Sequence, residues 1–198
     1  MREQCNALMT ALRRAIILYV FIMPLAACQC MSVSLMDTDM TKIDNLLILM
    51  DERLALAPKV AMAKWNSGAP IDDKVREAQI LASVQQHSIL LGIAPNVAVD
   101  FFQGQMNANK LYQRRLHEQW RGEALPPFAK APDLAHDVRP VLDELQAKIL
   151  LALRDTQTIR FSSRAQNYLL DRSKQLIRGD FKGEVRNMAV LSLANLQK

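Results

Sequence analysis

Beyond residue 30 the sequence contains no cysteine; Cys5, Cys28 and Cys30 are confined to its start. The body of the chain therefore has neither a disulfide framework nor a thiol nucleophile. Glycine is scarce, six in 198 residues, and none belongs to a phosphate-cradling loop or a G-x-S-x-G elbow. His87, His117 and His136 show no ligand spacing with one another, so each reads as a surface or packing residue and no metal or cofactor is expected. Aromatic residues make up only 6 % and no stretch alternates like a strand, whereas Leu, Met, Ala and Gln abound, a mixture that favours helix over sheet. Excess charge is also modest. The chain carries +5, but without Arg2, Arg13, Arg14 and Glu3 of its leader 22 Lys/Arg face 19 Asp/Glu, too small a surplus to argue for nucleic acid.

The one long apolar run is AIILYVFIMPLAA, residues 15–27, directly after Arg13 and Arg14. It is too short to span a bilayer comfortably. A basic start, a short apolar segment and small residues at Ala26 and Ala27 describe a signal peptide over residues 1–30, which predicts export to the periplasm. Leu25-Ala26-Ala27-Cys28 also has the form of a bacterial lipobox, whose cysteine is acylated after cleavage. Ordinary cleavage beside Ala27, lipid attachment at Cys28 and a retained anchor are the three readings of this leader; once the leader is cut, a lipid on Cys28 would be the only membrane contact.

After a polar, Met-rich lead-in, residues 42–65 keep helical spacing through Ile43, Leu46, Leu47, Met50, Leu54, Ala57 and Ala61, with a kink expected at Pro58. Asn66-Ser67-Gly68-Ala69-Pro70 is a turn. A second helix, capped by Asp72 or Asp73, runs to about residue 91 with Val75, Ala78, Leu81, Val84, Ser88 and Leu91 on one side. The third spans roughly 95–120 with a stripe of Phe102, Met106, Asn109, Gln113, Leu116 and Trp120. Residues 121–132 hold three prolines and read as a linker; helices over 133–153, 156–177 and 181–196 follow, with Pro140 confined to a first turn. These elements predict an all-α bundle of about six helices, divided into a core of residues 31–125 and a C-terminal extension of residues 126–198 that packs on it.

Several cations fall where the pattern predicts burial. Arg53 and Lys64 lie eleven residues apart, three helical turns plus about 20°, in a stripe with Leu46, Met50, Ala57 and Val60. Arg76 follows on the second helix and Arg139 on the fourth. A buried cation needs a partner, either another side chain or an anionic ligand. Taken singly, each is most simply a solvated residue at a helix edge. Three in one hairpin, beside the buried amides Asn109 and Gln113, favour a compact dianion, because arginine grips carboxylates bidentately.

The run LLILMDERLALAPKVAMAKWNSGAPIDDKVRE, residues 46–77, followed by FFQGQMNANKLYQ at 101–113, resembles a helical chorismate mutase of the exported, periplasmic subclass. The motif is an Arg, a Lys-Trp eleven residues on, a Pro-Ile-Asp-Asp turn, and an Arg twelve after the Lys. The likeness is strong over residues 40–120 and looser through PDLAHDVRPVLDELQAKIL at 132–150. It implies rearrangement of chorismate to prephenate within one molecule, a step toward phenylalanine and tyrosine that uses no cofactor, and a homodimer. By position, Arg53 and Arg139 match arginines that clamp the two carboxylates, and Arg76 matches a third. Lys64 and Gln113 match the two groups at the ether oxygen, and Asn109 a small polar neighbour. Glu77 and Asp73 match positions that hold the ring hydroxyl, through side chain and backbone respectively. Arg139 would complete the site within one chain, where smaller members borrow an arginine from the other subunit.

Two other readings use the same residues. Isochorismate pyruvate lyase resembles this fold and cationic site, although Glu77 and the export signal favour the mutase. An exported helical binding lipoprotein would keep the scaffold without the chemistry.

Overall fold

In the computed structural model the described residues are 38–198, except 158, 160–162, 179–180 and 195–198. The leader with Cys5, Cys28 and Cys30, and the expected break at Gly179-Asp180, lie outside them. The described residues from 41 onward form one compact unit. Among the described residues the regular structure is helical throughout: α1 over 38–54, α2 Ala57–Ser67, α3 Lys74–Leu90, α4 Pro95–Gly122, α5 Arg139–Thr156, α6 Ser163–Leu176 and α7 Glu184–Ala194. No helix among the described residues is long and apolar enough to cross a membrane.

Helices α1 and α2 are the single helix expected from the periodicity, interrupted at residues 55–56. Pro58 has no N–H for the carbonyl of Leu54 and its ring crowds that carbonyl, so the ladder breaks one turn upstream and restarts with Pro58 in the first turn of α2. The break does not turn the stripe away. Leu46, Met50, Arg53, Ala57, Val60 and Lys64 are all buried. Gly68 ends α2 with φ +68°, a left-handed cap that costs other residues strain.

Asp73 caps α3, accepting from the Arg76 N–H at 3.0 Å. Of the expected α3 face, Leu81, Val84, Ser88 and Leu91 face inward, but Val75 is 70 % exposed and Ala78 is exposed. The inward side follows the i, i+4 row of Arg76, Ile80, Val84 and Ser88, so the apolar Val75 was a misleading start for the stripe. On α4 the expected stripe is present, with Phe102, Met106, Asn109, Gln113 and Trp120 buried. Phe101 and Phe102 are fully buried edge-to-face neighbours with ring centroids 5.4 Å apart, each contributing about 1.5–3 kcal/mol of apolar burial.

Another face of α4 is backed by α7. A Cβ at Gly104 would run into Ser192, so the missing side chain sets how closely the two helices approach. Gln105, fully buried, donates to Ala189 O and Ser192 Oγ at 3.0 Å each. The linker after α4 is pinned to the end of α2, where Asn66 Nδ2 donates to Phe128 O at 2.7 Å and Asn66 Oδ1 accepts from Phe128 N at 2.8 Å. Trp65, His117, Trp120 and Phe128 stack around this clamp. His117 is thus a packing residue, with Nε2 2.9 Å from Ala61 O. A π-helical turn, Leu134–Val138, capped by Asp133, then leads into α5, with Arg139 and Pro140 in its first turn.

Candidate active site

Arg53, Lys64, Asp73, Arg76, Glu77, Asn109, Gln113 and Arg139 all line one pocket among α1, α2, α3, α4 and α5. The structure thus brings together all eight residues that the resemblance places in the site. It adds Lys110, Leu142, Asp143 and Gln146, with apolar walls from Val60, Ile71, Ile80, Met106 and Leu134.

Arg53 is 5 % exposed. Its guanidinium lies 5.8 Å from the centre of the Phe102 ring, Nη1 donates to Leu142 O at 3.5 Å, and Nε has no hydrogen-bond partner. Among the described residues no carboxylate lies within ion-pair distance of it. Burial pushes its pKa down to about 10; Asp143 opposes that shift and Arg76 adds to it. Lys64, 7 % exposed, is fixed by donation from Nζ to Ile71 O at 2.7 Å. Burial also lowers its pKa, against the attraction of Asp73, Glu77 and Asp72 and with a small push from Arg139. Lys64 too has no ion pair among the described residues.

Asn109 and Gln113 stand one turn apart on α4. Gln113 Nε2 donates to Asn109 Oδ1 at 2.7 Å, and Asn109 Nδ2 reaches the Arg53 carbonyl at 3.5 Å, a carbonyl near the break before Pro58. Gln113 Nε2 keeps a second hydrogen, and its Oε1 is buried without a partner. Two of the three buried, unpartnered side-chain atoms found among the described residues therefore belong to this pocket. Such atoms are costly unless something fills the space.

The remaining charges are paired. Arg76 Nη2 donates to Asp143 Oδ1 at 2.7 Å, Lys110 Nζ to Glu77 Oε2 at 2.8 Å, and Arg139 Nη2 lies 3.8 Å from Asp73 Oδ2. Five cations and three carboxylates line the pocket, a formal charge of +2. Asp143 and Lys110 escaped the sequence reading because their partners come from other helices. Asp143 is four residues after Arg139, a spacing that reads as an ordinary surface pair. Among the described residues no group of His, Cys, Asp and Glu is placed to hold a metal ion. The pocket offers fixed cationic and amide donors in a partly dry setting, an arrangement suited to binding and polarising a small dianion.

Comparison with known proteins agrees with that chemistry. The family described as chorismate mutase type II matches residues 38–114. A secreted chorismate mutase of Mycolicibacterium smegmatis is 33 % identical over 94 residues, covering 48 % of this chain and 51 % of that protein. One from Yersinia pestis is 30 % identical over 102 residues, covering 52 % and 54 %. The chain spans about half the length of the curated relatives it matches. The crystal structure of a chorismate mutase from Burkholderia thailandensis superposes with a TM-score of 0.70 at 33 % identity, covering 79 % of this chain and 99 % of that one. A shared fold at that identity across nearly the whole of a solved relative leaves one conclusion: the chain belongs to the type II, all-helical chorismate mutase family.

Proposed function

We propose that the protein is a chorismate mutase, an isomerase that rearranges chorismate to prephenate within its pocket. The observation that carries this reading is Arg53, a buried guanidinium with no carboxylate partner among the described residues, in one pocket with Lys64 and Gln113. A dicarboxylate supplies the missing counter-charge.

The reaction needs no nucleophile. The substrate must be held in a compact, chair-like shape so that its ends meet, and holding that conformer is a contribution of positioning. Arg53 and Arg139 take the two carboxylates, with Arg76 as a third cation. As the C–O bond breaks, negative charge grows on the ether oxygen. Lys64 and the second Nε2 hydrogen of Gln113 then stabilise the transition state more than the substrate, which is the condition for acceleration. Lys64 is already oriented by Ile71 O, and Gln113 by Asn109, so little reorganisation remains. Glu77 and Asp73 hold the ring hydroxyl; Lys110 fixes Glu77 Oε2 and leaves Oε1 for that bond.

Export is part of the same reading. The Mycolicibacterium smegmatis and Yersinia pestis relatives are named as secreted, and the leader has the features of a signal peptide. Periplasmic residence, a lipid on Cys28 and a homodimer complete it; mass spectrometry of the mature N-terminus and light scattering test these points.

Chromatography of the products of the purified protein tests the activity. Prephenate from chorismate is the expected result. Salicylate plus pyruvate from isochorismate would mean the lyase, and no turnover of either would mean a binding protein.

A further inference from the structure

Asp143 sits in the pocket as a carboxylate that the proposed reaction does not use. It lies on α5, one turn beyond Arg139, with its side chain 56 % exposed. Its Oδ1 accepts from Arg76 Nη2 at 2.7 Å, and the preceding residue supplies the carbonyl that Arg53 Nη1 reaches. Asp143 is also the strongest attraction acting on the buried Arg53 charge. One carboxylate is thus coupled to two of the arginines that face the ligand.

Arg76 and Asp143 line a second cavity as well, an open groove between α3 and α5 walled by Leu90, Leu150 and Leu151. Their ion pair, together with Ile80 and Gln146, therefore lies on the boundary between the pocket and that groove. A half-exposed aspartate at such a boundary has room to swing out when a ligand carboxylate arrives at Arg76. Asp143 thus occupies a place that a ligand carboxylate would contest.

We propose that Asp143 is an affinity-setting residue: a tethered carboxylate that competes with the ligand's own for Arg76 and holds the pocket's formal charge at +2, matched to a dicarboxylate. This rests on the reading of the pocket as a chorismate site. Substrate and product are both dicarboxylates, so a pocket of higher charge would hold both more tightly and slow release without favouring the transition state. Asp143 weakens both alike.

Asp143→Asn tests this, because the amide still accepts a hydrogen bond from Arg76 and only the charge is lost. Calorimetric titrations would use prephenate and isophthalate, a non-reacting ring dicarboxylate, and steady-state kinetics would use chorismate. The expected result is affinity about 3–5-fold tighter for both ligands, the equivalent of losing one part-exposed competing ion pair, with KM lowered and kcat unchanged or reduced. Glu144→Gln is the control, since it removes the same charge one residue along, where it pairs with Lys148 at 2.7 Å outside the pocket. It should leave all three measurements unchanged. Unchanged or weaker dicarboxylate binding by Asp143→Asn, or equal tightening by Glu144→Gln, would overturn the proposal. If the wild type made no prephenate while Asp143→Asn still bound isophthalate more tightly, the role of Asp143 would stand and only the reaction would fall.

Discussion

Two arginines close to helix α1 meet opposite fates. Arg172 on α6 grips Asp44 of α1, with Nε 3.0 and 2.9 Å from its two carboxylate oxygens, and Tyr168 Oη donates to the same carboxylate. The hydrogen bond to Asp44 raises the Arg172 pKa. Arg53, on α1 itself, has more burial and less satisfaction: a carbonyl at 3.5 Å, an aromatic face, and an Nε with no partner. Its pKa moves the other way, down to about 10. A cation that holds helices together is given its anion by the fold. Arg53 has no carboxylate partner among the described residues, and the fold carries the cost of its burial.

The largest effect expected from breaking this contrast is on turnover. Replacing Lys64 or Arg53 by alanine should cut the rate of chorismate depletion by ~10²–10³, the loss typical of a fixed donor to developing charge. Arg172→Ala, equally a lost guanidinium, should leave the rate within about twofold, since its partner lies outside the pocket.

The pH profile sharpens the same point. An amide needs no proton to donate, so kcat/KM of the wild type should stay level on the acid side as far as Gln113 is concerned. On the alkaline side it should fall before the ordinary lysine value of 10.5, because burial makes Lys64 give up its proton earlier. Gln113→Glu should install an acid optimum, with activity dropping roughly tenfold per pH unit above the carboxylate's own pKa. A Gln113→Glu profile superimposable on the wild type would remove Gln113 from the ether oxygen.

Stability should move in the opposite sense to activity. A base whose pKa is lowered by folding burdens the folded state fully below that folded value, and the burden lifts as pH rises through about 10. At pH 7 it is fully present, on the order of 3 kcal/mol for a shift of this size. Arg53→Met should therefore raise the Tm of the ligand-free protein by several degrees, at about 2–4 °C per kcal/mol for a chain of this length. Arg172→Met, which takes the guanidinium from Asp44 and leaves it the Tyr168 hydroxyl, should lower Tm. Differential scanning calorimetry without ligand reads both signs; a fall for Arg53→Met would mean that its contacts with Phe102 and Leu142 outweigh its desolvation. The smallest effect belongs to Lys148→Ala, which breaks an exposed i, i+4 pair with Glu144 and should shift Tm by no more than about 1 °C.

Much of this is legible in the sequence. The stripe from Leu46 to Lys64 survives a helix break at residues 55–56, because the turn before Pro58 returns the chain to the same face. Asn109 and Gln113 announced themselves as amides in an apolar row, and both are buried. The stripe on α3 was misread at Val75 because one exposed apolar residue is common on any helix and carries little information about facing. Asp143 and Lys110 gave no signal, since each is defined by a charge on another helix.

Composition and periodicity alone determined that this chain is helical and that it places more positive charge on its core-facing stripes than a core needs. These are local properties, set by backbone propensity, proline geometry and the 3.6-residue repeat. Only the tertiary structure decided which cations keep an internal counter-charge, because pairing depends on distances between segments far apart in sequence. It gave Arg76 to Asp143 and Lys110 to Glu77, and left Arg53 and Lys64 without an anion among the described residues.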